Sequence, residues 1–246
     1  MLLIGIDDTD NLESRGTGYR ARTLARALHD ERLACVVGVT RHQLLVDDAI
    51  PYTSHNSSAC LAIETNGAPQ ETIFEFCRRF LQQEAADGSD VGLSLCNKDQ
   101  AARVHSYGHT CKTQVSTMDA AWNEARAAGI ALAGLTGTHQ GIIGALAALG
   151  LHSDGNDGRY IWVDRIRELT GETLRIAELI AETGIEQLAL LDGRQITEAD
   201  ARVMLGPWPR PVRLNGRAVL LVERSHDDET SDFQVLDKHI IKAFRP

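Results

Sequence analysis

The sequence predicts an α+β fold: a ferredoxin-like βαββαβ core extended by further α/β elements, then a smaller C-terminal α+β part. Three observations carry this. Apolar runs of strand length alternate with segments whose apolar residues recur at helical spacing, two such runs follow each other with no helix between them, and a cluster of turn residues, HSDGNDGR, breaks the pattern after Leu151.

Element by element, LLIGI reads as a buried strand, and from Gly18 the residues Ala21, Leu24, Ala25 and Leu28 mark one face of a helix. ACVVGVT, rich in β-branched residues, is the second strand. A loop holding Pro51, Asn56 and Ser57 leads into SACLAIE, the third. From Pro69 a helix buries Ile73, Phe76, Cys77 and Phe80, and VGLSL alternates as the fourth strand. Beyond this core, Ser116 or Thr117 caps a helix with Met118, Ala121, Trp122 and Ala125 inward, and GIALAGL is a strand. Thr138 caps a further helix with Ile142, Ala145, Leu146 and Leu149 inward. In HSYGHTC, Gly108 argues against a helix.

The expected boundary lies near Leu151, which separates a first part at 1–151 from a second at 152–246. The second part carries helical segments around Ile176 to Ile180, a hairpin RPVRLNGRAVLLVE turning at Asn215-Gly216, and an acidic loop, HDDETSD.

Composition narrows the function classes. With 43% hydrophobic and 24% charged residues the 246-residue chain is an ordinary globular protein. Its 25 basic and 34 acidic residues leave a net charge of -9, which disfavours RNA as a partner held mainly through its phosphates, although a local basic patch could still serve. The five cysteines are widely spaced and contain no C-x-x-C, so a reducing, cytoplasmic setting is expected rather than a disulfide framework or zinc ribbon. The longest later apolar stretch, Gly141 to Leu151, falls short of the ~18 residues that span a bilayer, so no membrane partner is expected.

The chemistry concentrates at three aspartates after the first strand. Asp7, Asp8 and Asp10 stand at a strand end where α/β folds bind ligands, and carboxylate oxygens are what Mg²⁺ takes alongside substrate phosphates. Turn capping is the plainer alternative. Side chains alternate along an extended chain, so Asp8 and Asp10 are expected to share a face while Asp7 points elsewhere, as a base or second metal ligand. In RGTGY, Gly16 and Gly18 let backbone N–H groups approach a phosphate, the following helix adds its positive end, and Thr17 adds a hydroxyl. This is not a Walker A loop, for it lacks Gly-Lys-Ser/Thr.

In LTGTHQGIIGALAALG, Thr138, His139, Gln140 and Gly141 offer a second anion site at a helix start; Gly141 and Gly144 serve equally to let a helix pack closely. His105 and His109, four apart with Cys111 nearby, resemble a transition-metal cluster that lacks a second cysteine pair. Arg210, Arg213, Arg217 and Arg224 near Trp208 form a basic ribbon best read as a solvated hairpin face.

Taken together, GIDDTD with its following glycine-threonine loop, IPYTSHNSSACLAI and GIIGALAALG resemble the amino-terminal, kinase-like part of the archaeal isoleucine-tRNA agmatinylcytidine synthetases. The resemblance covers residues 1 to about 151. It implies an ATP- and Mg²⁺-dependent domain in which Asp7, Asp8 and Asp10 form the catalytic and metal-binding cluster, Thr17 matches a loop threonine, and the GIIGAL helix lies beside the nucleotide. The family's OB-fold and zinc ribbon have no counterpart in the motifs here, and Thr53, Ser54, His55, Asn56 and Ser57 replace a basic stretch. The expectation is therefore a phosphotransferase or ligase using ATP and Mg²⁺ on an unidentified acceptor. The alternatives are a tRNA- or RNA-modifying enzyme that relies on a partner for RNA binding, and a non-catalytic nucleotide- or metal-sensing module.

Overall fold

The computed structural model describes residues 1–50, 56–225 and 230–244, and the chain divides into two units, residues 1–154 and 155–246. In the first unit the βαββαβ succession is β1 (Leu2–Asp7), α1 (Thr17–Asp30), β2 (Ala34–Gln43), β3 (Ser57–Thr65), α2 (Gln70–Glu84) and β4 (Gly92–Asn97). Then come α3 (Lys98–Arg103), α4 (His105–Thr113), α5 (Met118–Ala128), β5 (Ala131–Gly134) and α6 (Ile142–Asp154). The strands lie in the order β5-β4-β1-β3-β2, each antiparallel to its neighbours. Each β-α-β connection therefore skips one strand, which leaves β1 in the middle with its carboxyl end between β3 and β4.

Alternation along the strands supplies both faces of this sheet. Leu3, Cys60, Ala62 and Cys96 belong to one cluster with α4, α5 and α6, while Ile4, Leu61 and Leu95 alternate to the other side. α1 buries Ala21, Leu24, Ala25 and Leu28, as its spacing predicts. α2 buries Ile73, Cys77 and Leu81, with Phe76 and Phe80 half-buried and stacked on each other. In α5 the inward face is Ala121, Ala125 and Ala128; Met118, expected inside, sits in the first turn and is exposed.

α6 is buried from Gly144 through His152 on every side, a wholly interior helix rather than the one-faced helix expected. It reaches this position through glycines. A Cβ on Gly5 would run into the carbonyl oxygen of Ala145, and one on Gly92 into the Gly141 carbonyl, so the helix start rests on the backbones of β1 and β4. The same principle corrects the reading of Gly108. It lies inside α4 because a Cβ there would stand 2.9 Å from the Leu151 amide and 3.0 Å from the Ala147 carbonyl oxygen of α6. Close helix packing outweighs the ~1 kcal/mol that glycine costs within a helix.

The second unit contains β6 (Arg159–Trp162), β7 (Thr173–Arg175), α7 (Ile176–Glu182), β8 (Gln187–Leu190), β9 (Gln195–Ile196), β10 (Arg202–Met204), β11 (Val212–Leu214), β12 (Arg217–Arg224), β13 (Phe233–Val235) and α8 (Lys238–Ala243). β11 and β12 form the expected hairpin, with Asn215 and Gly216 both at positive φ, 50° and 77°, as a tight primed turn requires. Its arginines are engaged within the fold: Arg210 lies over the Trp208 ring, Arg213 donates to the Tyr160 hydroxyl, and Arg224 lies over Phe233. Part of the predicted acidic loop, residues 226–229, lies outside the described residues. Among the described residues no helix is long and apolar enough to cross a membrane, and the cysteines there form no disulfide.

The seam between α6 and the sheet gives a direct test. Gly92→Ala is expected to lower the unfolding free energy by about 1–3 kcal/mol through overpacking, read as a shifted urea midpoint with unchanged slope; an unchanged midpoint would mean that α6 does not rest on the β4 backbone.

Candidate functional site

β1 ends at Asp7, and Asp8 adopts a left-handed backbone with φ 51°. That conformation turns the chain at once, so the alternation that would separate neighbouring side chains ends at Asp7. Asp7, Asp8 and Asp10 consequently line one cleft of about 130 Å³ together with Thr17 and Asp90. The expectation that Asp7 points away from the other two is overturned by this turn.

Asp10 is held by the start of α1. Its Oδ1 accepts from both the Thr17 amide and the Thr17 hydroxyl, each at 2.8 Å, and the Thr17 hydroxyl in turn lies 3.3 Å from that of buried Thr9. The anion at this helix end is the protein's own carboxylate, consistent with the positive charge of helix N-termini. The phosphate cradle expected from Gly16, Thr17 and Gly18 is thus changed in kind: Thr17 reaches the cleft as the anchor of Asp10, whereas exposed Gly16 serves as N-cap and neither glycine lines the cleft.

A second correction concerns Thr138. The helix begins at Ile142, and Thr138 lies in the preceding turn with its amide and hydroxyl both donating to the Asp90 carboxylate, each at 2.5 Å. Of the amides that follow, those of His139, Gly141, Ile142 and Ile143 donate to the carbonyls of Thr136, Asp90, His139 and Gln140. Gln140 and Gly141 line the cleft; Thr138 and His139 do not. Gly144 has a further role, because a Cβ there would collide with the carboxylate of Asp7. The GIIG pattern therefore packs the helix against the sheet and makes room for an acidic side chain.

The electrostatics follow from this crowding. Burial, with the charge of Asp8 and then Asp10 beside it, pushes the Asp7 carboxyl from 3.8 up to about 8, against the opposing effect of the Asp8 amide. Asp8 is raised to about 6 by burial and by the charges of Asp90 and Asp10, with the Asp90 amide working the other way. Burial lowers the pKa of Arg41 against the opposing charge of Asp10, and its Nε donates to Ser57 Oγ at 2.8 Å. Burial also holds the Cys111 thiol up in its protonated form, so the sulfur on the cleft wall is a poor nucleophile. Oxygen-only carboxylate donors that repel one another suit a hard divalent cation, and Asp7, Asp8, Asp10 and Asp90 are the residues that could hold Mg²⁺.

The lining also includes the apolar Leu44, Ile50, Val115 and Ile143 and the polar Asn56, Ser57, Gln114 and Ser116. Asp90 and Arg41 escaped the sequence reading. Asp90 stands alone in a turn ahead of a strand and Arg41 within one, and only the sheet order brings them to β1. Residues 51–55 of the IPYTSHNSSACLAI motif lie outside the described residues.

Because the folded value of Asp7 lies above its ordinary one, its contribution to stability is complete below pH 3.8 and is lost as pH rises through about 8. In the absence of divalent ions the melting temperature of the parent is expected to fall more than that of Asp7→Asn between about pH 5 and about pH 8.5, while Mg²⁺ affinity rises over the same interval as protons leave Asp8 and Asp7. Parallel melting curves for the two proteins would show that Asp7 does not titrate in this way.

No protein-family model matches this chain, and no curated protein matches it by sequence. Solved structures share its fold. Apo TiaS, a tRNA agmatidine synthetase, is 21% identical with a TM-score of 0.53, and the match covers 61% of this chain and 35% of that one. TiaS in complex with its tRNA and ATP is 23% identical at a TM-score of 0.55, covering 61% and 36%. A tRNA fluorescent labeling enzyme is 24% identical at a TM-score of 0.54, covering 61% and 35%. The match thus spans about a third of the length of those proteins, and over that part this chain has the fold of a portion of TiaS.

Proposed function

We propose that the first unit is an ATP- and Mg²⁺-dependent phosphotransferase or ligase domain. The observation that carries the reading is that four carboxylates, from β1, the following loop and the turn before β4, line one cleft that also holds apolar side chains. Such a cleft offers a place for a cation bearing phosphates next to one for a flat, weakly polar ring. The fold is shared with TiaS, whose structures include one complex with tRNA and ATP and another with tRNA, AMPCPP and agmatine. That likeness supports ATP as the nucleotide.

In this reading Asp8, Asp10 and Asp90 hold the metal, and Thr17 is a positioning residue that fixes Asp10. When bound, Mg²⁺ supplies positive charge to the polyphosphate and to the oxygens of the group in transfer. Asp7 in its deprotonated form takes the proton from the acceptor's nucleophilic group as the new bond forms, a base strengthened by the burial that holds its carboxyl at about 8. Leu44, Val115 and Ile143 supply apolar surface to the cleft, and Ser57, aimed by Arg41, with Gln114 offers hydrogen bonds to the acceptor.

A second reading, a tRNA-modifying enzyme, is supported by the tRNA in the TiaS complexes. The net charge of -9 weighs against a large RNA contact made by this chain unaided.

Calorimetric titration of ATP with and without Mg²⁺ tests the site. Asp8→Asn, whose side chain tolerates the left-handed backbone, Asp90→Asn and Gly144→Ala are each expected to weaken Mg·ATP binding by more than about tenfold with unchanged circular dichroism. Binding as tight as the parent's in all three would remove the proposed metal and nucleotide site.

A further inference from the structure

We propose that His105, His109 and Asp154 form a site for a zinc-class transition-metal ion, separate from the acidic cleft. The two histidines are one turn apart on α4 and so occupy the same helix face. Asp154 is the last residue of α6, which α4 contacts closely at Gly108. One carboxylate oxygen serves each ring: His105 Nε2 is 3.4 Å from Oδ1 and His109 Nε2 is 3.7 Å from Oδ2. The candidate ligand atoms of the three residues lie within 4.8 Å of one another.

These separations are informative. They exceed the roughly 3.2 Å limit of a good N–H···O hydrogen bond, and a turn of the Asp154 carboxylate that presents one oxygen to both rings brings the three ligand atoms toward the ~3.3 Å separations of a tetrahedral ion with bonds of about 2.0–2.1 Å. Closing the remaining distance between the two ring nitrogens needs only small rotations, which both exposed rings are free to make. Imidazole pairs select Zn²⁺, Co²⁺ or Ni²⁺ over Mg²⁺, so the site differs in kind from the oxygen-only cleft. Three protein ligands leave a fourth position open to solvent. Cys111, the sulfur that sequence spacing pairs with these histidines, is buried in the core cluster and takes no part. An ion here ties the amino-terminal half of α4 to the end of α6; Cys111 of α4 and Gly144 of α6 line the cleft.

The test uses the full chain stripped with a chelator, then titrated with Zn²⁺ against a chromophoric competitor and with Co²⁺ followed by visible absorption. With excess Mg²⁺ present to compete for the oxygen-only cleft, one Zn²⁺ per chain is expected, with Co²⁺ giving the intense bands of a four-coordinate ion. His105→Ala, His109→Ala and Asp154→Asn should each weaken Zn²⁺ binding by more than about tenfold, with Asp8→Asn unaffected. All three positions are outside the buried core, so circular dichroism should match the parent. Absence of Zn²⁺ binding tighter than about 10 μM in the parent, or undiminished binding in the His105→Ala/His109→Ala double variant, would overturn the proposal.

Discussion

Four carboxylates that line one cleft, three of them just after or at the end of the central strand β1 and one ahead of β4, set the terms for the rest of the first unit. Removal from water, and after it the charge of the neighbouring carboxylates, raises the proton affinity of Asp7 and Asp8 well above that of a free aspartate. The fold accepts this because each acidic side chain is fixed by a neighbour: Asp10 by Thr17, Asp90 by Thr138, and Asp7 by the space that Gly144 leaves for it. Asp8 is placed by a backbone turn that non-glycine residues seldom adopt, a conformation common at ligand sites.

The glycines of α6 join stability to chemistry. A helix apolar on all sides can only be interior, and the glycine contacts let it descend onto the β1 and β4 backbones. The same approach brings Gly141 and Gly144 to the mouth of the acidic cleft. The distinction between a packing glycine and a site glycine therefore disappears at Gly144, where one missing methyl group serves both ends.

Much of this architecture is legible in the sequence, for reasons that differ by element. The apolar periodicity of β1 and α1 and the Asn215-Gly216 turn are local signals, and the structure follows them. α4 is hidden because its defining feature, Gly108 against Ala147 and Leu151, is a tertiary contact between segments about forty residues apart. The acidic character of the site is visible in Asp7, Asp8 and Asp10. Their common direction is not, because it depends on the left-handed turn at Asp8, and Asp90 joins them only through the strand order β4-β1-β3. Thr138 reads as a helix cap from its neighbours alone, yet Asp90 is the partner that it holds.

The idea that these carboxylates grip a cation carrying polyphosphate is tested most directly by crystals of the full chain grown with Mn²⁺ and a non-hydrolysable ATP analogue, measured at the manganese absorption edge. An anomalous peak is expected about 2.2 Å from oxygens of Asp8 and at least one of Asp10 and Asp90, in contact with analogue phosphates. A nucleotide bound with its phosphates directed away from Asp8, or manganese seated elsewhere on the surface while the cleft holds only water, would contradict it.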